Sequence, residues 1–453
     1  TRRRPGAAII MRVGAGRVLL LTLVLALGGC DWIGGLFEDT SKVHLKGNRI
    51  SVLGLEKRLE PDPKLAEIQV RVPPAVANAD WPQPGGNPSH AMQHVAFAGK
   101  LERVWRADIG DGASRYGRVL SQPIVADGVV FGMDAQDVVV ALDAKTGHEL
   151  WENDPKPKSE RDHAFGGGLA AAKGRIFVTT GYGQVLALDA KTGKELWRQQ
   201  VPAPMRGAPT VAGDRVFAIT VENQLDVLSA EDGHRLWTHS GIPETAGLLG
   251  AASPAVDGDI VVVPYSSGEL FALRAENGRP LWTDNLATAR PLGALSTLAD
   301  IRGRPVIDRG RVFALSHSGR MVAIDLRTGD RVWEQEIGGT HGAWVAGDYI
   351  YVLANDVDLL CLQRDDGRIR WAHDLPRYED EKKKKDPMRW AGPVLAGDEL
   401  IVVGSNGDAL AVSPYTGATM GQFTVPDGVF VDPVVAGGTL YVLTDEADLI
   451  ALR

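Results

Sequence analysis

The sequence is poor in cysteine: its 453 residues hold two, Cys30 and Cys361. Two thiols cannot build a disulfide framework, so stability must come from a packed core. Aromatic residues make up 6% of the chain, and eleven of them are Trp. Helix-favouring runs are scarce. Short Val/Ile/Leu runs bounded by Gly and Asp take their place, which speaks against a helical bundle and for an all-β chain. Positive charge is in deficit, with 49 Lys and Arg against 57 Asp and Glu, so nucleic acid is not an expected partner. No His, Cys and carboxylate cluster has metal-ligand spacing, and the ten His are dispersed. No metal, no cofactor and no catalytic residue is expected.

Hydrophobic runs are short as well. The longest, "VLLLTLVLAL" at residues 18–27, falls below the length of a spanning helix. Arg12 and Arg17 precede it, so residues 1–29 read as a secretory signal. The run ends in "LGGC", and a cysteine directly after small residues resembles the lipobox of bacterial lipoproteins. That resemblance implies acylation at Cys30 and a membrane anchor made of acyl chains. Two or more chains give firm attachment, each buried methylene contributing about 0.8 kcal/mol. Residues 30–80 read as a lipidated tether. Without the five Arg of residues 1–29, the 49 basic side chains fall to 44 against 57 acidic ones, a net charge of −13.

Glycine is plentiful, and it falls in a pattern. "ALDAKTGHELW" (141–151) returns as "ALDAKTGKELW" (187–197). Related copies end at Trp237, Trp282, Trp333 and Trp371, and a decayed copy has Gly421 where Trp would stand. The motif glycines are Gly147, Gly193, Gly233, Gly278, Gly329, Gly367 and Gly417. A two-residue turn precedes each one, and its second residue (Gly128, Gly174, Asp214, Asp259, Gly310, Asp348, Asp398) lies 19 positions upstream every time. The interval between successive units varies instead from 38 to 51 residues. A constant interior with a variable exterior means one rigid supersecondary unit joined by loops.

Each unit reads as four strands with tight turns between them. Repeated four-stranded antiparallel units make a β-propeller. An eighth turn pair, at Gly438, has no fourth strand after it, whereas "LERVWRADIG" (101–110) has no blade before it. The expected fold is therefore an eight-bladed propeller over residues 81–453, its last blade closed by this N-terminal strand. Closure removes the open sheet edges. Cys361 occupies the Ala position of the motif and reads as a small core residue. Asp143, Asp189 and Asp325 read as turn caps, "EDEKKKKD" (379–386) as a solvated loop, and His163 and His341 as loop histidines. "GGG" (166–168) precedes a strand and not a helix, which argues against a phosphate loop.

The A-x-D-x-x-T-G-x-x-x-W pattern resembles the repeat of quinoprotein-type propellers. Together with the lipobox, the eight-blade length and "DWPQPGGNPSHAMQH" (80–94), it resembles the lipoprotein propeller family of the outer-membrane β-barrel assembly (Bam) machine. That resemblance implies a non-catalytic scaffold without cofactor, a monomeric subunit of a hetero-complex. It would dock on the periplasmic POTRA domains of BamA and support insertion of barrel proteins. It also implies the periplasmic face of the outer membrane, although Asp31 is a residue that retains lipoproteins at the inner membrane in enteric bacteria. In that family the partner-facing loops precede two adjacent mid-chain blades. "AGLLGAASP" (246–254) matches the first, with Leu248 and Gly250 in place and Leu249 where the family has Arg. "LADIRGRPVI" (298–307) matches the second, with Asp300 in place and Arg302 where a second Asp stands. Leu248, Leu249, Gly250 and Asp300 are the expected partner-binding residues.

Two other readings remain at this stage. A quinone-dependent dehydrogenase of the same repeat family would hold a metal-bound quinone on the axis, with calcium ligands and usually adjacent cysteines, and no two cysteines are adjacent here. An envelope propeller binding another peptide or a glycan is the third reading, since loops set propeller specificity.

Overall fold

The computed structural model describes residues 59–115, 117–244, 246–288 and 298–453. The signal segment, Cys30 and Asp31 lie outside the described residues. Among the described residues thirty-two strands form eight four-stranded antiparallel sheets, seven of them following chain order from the first strand outward. Blade 1 is Ile124–Ala126, Val129–Met133, Val139–Asp143 and Glu149–Asn153. Blades 2 to 7 repeat this over residues 168–200, 210–240, 255–285, 306–335, 344–374 and 390–424. Blade 8 takes three strands from residues 434–452 and its outer strand, Arg103–Asp108, from the front of the chain. The first strands of blades 1 to 7 touch in succession, placing first strands innermost in an eight-bladed β-propeller.

The repeat motif can be read letter by letter. On one face of blade 1, Ala141 lies between Phe131 and Trp151 in cross-strand register. The two rings meet over it, 5.7 Å apart, so a larger residue there would force them apart. In blade 6, Cys361 takes the same place between Tyr351 and Trp371 and is fully buried. Asp143 Oδ1 accepts the Lys145 and Thr146 N–H groups and the Thr146 hydroxyl, and Asp189 repeats this arrangement. Asp325 accepts the N–H groups of Arg327 and Thr328. These carboxylates cap turns.

The Gly and the Trp serve the contact between blades. Trp151 Nε1 donates to the Ala190 carbonyl of blade 2 at 3.0 Å. A Cβ on Gly193 of blade 2 would lie 2.5 Å from the Trp151 ring, and Gly193 has φ +66°. The same pairing joins Trp105 to Gly147, Trp197 to Gly233, Trp237 to Gly278, Trp282 to Gly329, Trp333 to Gly367 and Trp371 to Gly417. The Trp105–Gly147 pair seals the ring, because Trp105 belongs to blade 8 and Gly147 to blade 1. The decayed copy follows from the same rule. Gly421 stands where a Trp would reach blade 8, but blade 8 receives its outer strand from elsewhere and has no third turn to receive a ring. A Cβ on Gly421 would meet nothing within 4 Å. The hydrophobic core is accordingly a series of clusters, most of them drawing on two neighbouring blades, with the one at closure drawing on blades 7, 8 and 1.

This arrangement predicts a split between two chemically identical substitutions. Gly174 also has positive φ, yet a Cβ there meets nothing within 4 Å. Gly174→Ala is expected to cost about 1 kcal/mol, from backbone conformation alone. Gly193→Ala adds a collision with Trp151, and its expected cost is about 3 kcal/mol. Denaturant midpoints of the two variants read the difference; equal midpoints would show that the glycine is there for its φ only.

Residues 59–80, assigned to the tether from sequence, run along the propeller in this structure. Pro63–Leu65 is a single 3-10 turn capped by Asp62, with Leu65 buried. Arg370 of blade 6 donates to the Ile68 and Ala66 carbonyls. Beyond Val76 the chain crosses the axis and bonds to every blade. The Trp81 and Val125 N–H groups exchange bonds across blade 1. Ala171 donates to Pro82, Val256 to Pro88, Ile307 to Ser89, Gly397 to Val95 and Gly437 to Asn78. Val211 and Gly347 donate to the side chains of Gln83 and Gln93. Each innermost strand has one edge unpaired within its own blade, and this plug satisfies it. The "EDEKKKKD" stretch, expected as a solvated loop, is the tip of a short hairpin, Tyr378–Asp380 paired with Lys385–Pro387, and its lysines are exposed.

Candidate docking site

The connections from each outer strand to the next inner strand lie on the face away from the plug. The two expected partner loops are the connections into blades 4 and 5, and the structure brings them into contact. Asp300 Oδ2 accepts the Leu248 N–H at 2.9 Å. Arg302 Nε donates to the Leu249 carbonyl at 2.6 Å, and its Nη1 to Thr340 at 3.2 Å in the connection into blade 6. Gly250 has φ +92°, and a Cβ there would lie 2.9 Å from Arg302 Nε. The two departures from the family pattern, Leu249 and Arg302, therefore meet: the guanidinium of one loop holds the backbone of the other.

Leu248, Gly250 and Asp300 line one cavity of about 320 Å3, with Arg206, Asn223 and Glu244 on its blade 3 side. Leu249 is not part of its wall and contributes its carbonyl to Arg302. Asp300 is 5% exposed, and burial raises its carboxyl above the usual range. It shapes the loop and does not offer a free charge to solvent. Leu248 and Leu249 are half-buried, while Ala246 and Gly247 are exposed at the tip.

Sequence reasoning missed the axis. The residues two positions before six inner strands (Gln122, Ala208, Ser253, Arg304, Gly342, Asp432) form one tier around it. Those four positions before (Leu120, Arg206, Ala251, Arg302, Thr340, Phe430) form a second. The offset from each inner strand is the signal that would have found them. Across the first tier Arg304 Nη2 donates to Asp432 Oδ2 at 2.7 Å, and His341 Nδ1 lies 2.7 Å from Oδ1. Burial opposes a charge on Asp432, but His341 and Arg304 outweigh it and hold the carboxyl well below the usual range. Of the two loop histidines, His341 thus reaches the axis and His163 is exposed.

A family model described as "Outer membrane protein assembly factor BamB" matches residues 135–373, more than half of the chain. The chain belongs to the BamB family. The BamB of Yersinia pestis is 27% identical over 346 residues, 75% of this chain and 86% of its own length. The crystal structure of BamB from Moraxella catarrhalis superposes with a TM-score of 0.67 at 20% identity, over 78% of this chain and 99% of that one. Quinohemoprotein alcohol dehydrogenase from Comamonas testosteroni superposes with a TM-score of 0.64 at 15% identity, over 83% and 81% of the two chains. A second model, the propeller domain of glucose, ethanol and alcohol dehydrogenases, matches residues 94–172. At these identities the two structures share a fold with the BamB-family chain. Among the described residues no helix is long and apolar enough to cross a membrane.

Proposed function

We propose that this chain is a non-catalytic scaffold in outer-membrane protein assembly. It works within the Bam complex, docking on the periplasmic POTRA domains of BamA through the loops around Leu248–Gly250 and Asp300. The observation that carries this reading is the match to the BamB family model over the repeats that bear both loops. The bonds from Asp300 to Leu248 and from Arg302 to Leu249 support it, since they preform one surface from two blades and lower the entropy lost on docking. Acyl chains at Cys30 would hold the propeller at the periplasmic face of the outer membrane. Tethering raises the effective concentration of the partner, so modest contacts suffice.

The test is association of the purified chain with the POTRA region. Binding in about the micromolar range is expected, about −8 kcal/mol. Asp300→Ala releases the Leu248 N–H and is expected to weaken binding about tenfold, equivalent to about 1.4 kcal/mol. No association of the native chain at that concentration would end the reading.

The dehydrogenase reading asks for a roomy axial site with metal ligands. The axial cavity holds about 60 Å3, whereas small-molecule sites begin at roughly 300 Å3. Among the described residues no group of three His, Cys, Asp or Glu side chains is arranged to hold a metal ion. Cys361, buried in blade 6, has no adjacent cysteine, since the other cysteine of the sequence is Cys30.

A further inference from the structure

The axis carries two cations that the docking reading does not use, Arg206 and Arg389, beside Arg302, whose Nε and Nη1 hold the neighbouring loops. Asp432 is the one acidic residue lining the axial cavity, and its carboxylate is fully engaged by Arg304, His341 and the Gly392 N–H at 2.8 Å. Asp432 and Asp300 act on Arg302 only from beyond contact distance, through their charge. Arg302 gives its Nε and Nη1 to neutral backbone carbonyls, and its guanidinium lies 4.8 Å from the Phe430 ring centroid. Arg389, exposed at the rim, lies 5.9 Å from the same ring. Arg206 stacks 4.4 Å above Phe165, and its Nε is buried with no hydrogen-bond partner among the described residues. Neither Arg206 nor Arg302 forms an ion pair with a described carboxylate.

A guanidinium held beside aromatic rings and partly withdrawn from water loses hydration without a contact anion to replace it. A carboxylate is the group that offsets this loss best, because the planar fork of Arg matches its two oxygens. Pro84 of the plug forms the floor of the cavity. We infer that this axial cup binds carboxylate groups carried by an acidic polypeptide segment. Arg206 and Arg302 receive one carboxylate within the cup and Arg389 a second at the rim, which favours successive acidic residues over a single small anion. Gly250 lines both this cavity and the one bounded by Leu248 and Asp300, so the two sites adjoin. The cup stands on its own geometry and does not depend on POTRA docking.

The test is calorimetric titration of the full chain with hexaglutamate, with citrate, and with hexaglutamine as the uncharged control. Saturable binding of hexaglutamate is expected, with no heat from hexaglutamine. Arg206→Gln removes the guanidinium that stacks on Phe165 and is expected to weaken binding about tenfold. Arg389→Gln, at an exposed position, is expected to weaken it about threefold and serves if the first variant fails to fold. Citrate binding as tightly as hexaglutamate would reassign the cup to free polycarboxylates and overturn the polypeptide. No saturation at millimolar hexaglutamate, equal binding of hexaglutamine, or unchanged affinity in folded variants would overturn the carboxylate site itself.

Discussion

Removing the six residues from Asp448 to Arg453 is expected to abolish cooperative folding. The strand Asp448–Leu452 is paired on both sides, with Arg103–Asp108 and with Thr439–Leu443. Leu449, Ile450 and Leu452 are each at most 4% exposed, and losing such side chains costs roughly 1.5–3 kcal/mol apiece. Backbone bonds to two neighbours add about 1 kcal/mol each. The Arg106 pair with Asp448 is lost too, its Nε lying 2.7 Å from Oδ1. These losses together match the whole stability of an ordinary domain, about 5–15 kcal/mol. They also leave Arg103–Asp108 without a neighbour and open the ring, exposing edges that template association. Size-exclusion chromatography and thermal melting should show aggregation and no sharp transition. A truncated chain that stays monomeric and melts at the native temperature would mean that the ring does not need its clasp.

Trp81→Ala should produce the second large effect. Trp81 is 1% exposed, stacks on Trp344 of blade 6 with centroids 6.1 Å apart, and exchanges backbone bonds with Val125 of blade 1. Truncating a buried Trp costs about 3–5 kcal/mol, through lost transfer energy and the cavity left behind. Because the plug touches all eight blades, the loss should loosen the inner strands together, visible as faster amide exchange at Val125, Ala171 and Val256. Trp81→Phe is the informative companion. The Trp81 Nε1 is buried and has no partner among the described residues, so Phe removes an unsatisfied donor and keeps most of the ring. Its expected cost is under about 1.5 kcal/mol, since it avoids the unpaired-donor penalty. If alanine and phenylalanine fell equally far, the indole N–H and not the buried area would be what matters there.

Much of the propeller was legible because its physics is local and repeated. The 19-residue spacing records two hairpins of constant length, and Asp143 with Thr146 caps a turn in the same way wherever the pair recurs. The orphan strand around Trp105 could be assigned to blade 8 because its Val-Trp ending matched a missing piece. The plug was not legible. Residues 76–97 have no period, since each blade bonds to a different residue of the plug, mostly through backbone groups that carry no sequence signature. The hairpin at 378–387 escaped for a related reason: its composition is that of a solvated surface, and its order comes from pairing alone. The loops at 246–254 and 298–307 were legible as neighbours on adjacent blades only. Contact between Leu249 and Arg302 runs through a backbone carbonyl, which no side-chain pattern reveals.

The sequence by itself determined the number of blades, the strands within each and the closing strand, because tight turns and small-beside-large packing are decided within a few residues. The tertiary structure alone decided why Gly421 breaks the pattern, what covers the inner edges, and which charges meet at the axis. Those features depend on residues far apart in the chain reaching one point, where each contributes a single group that its neighbours in sequence do not announce.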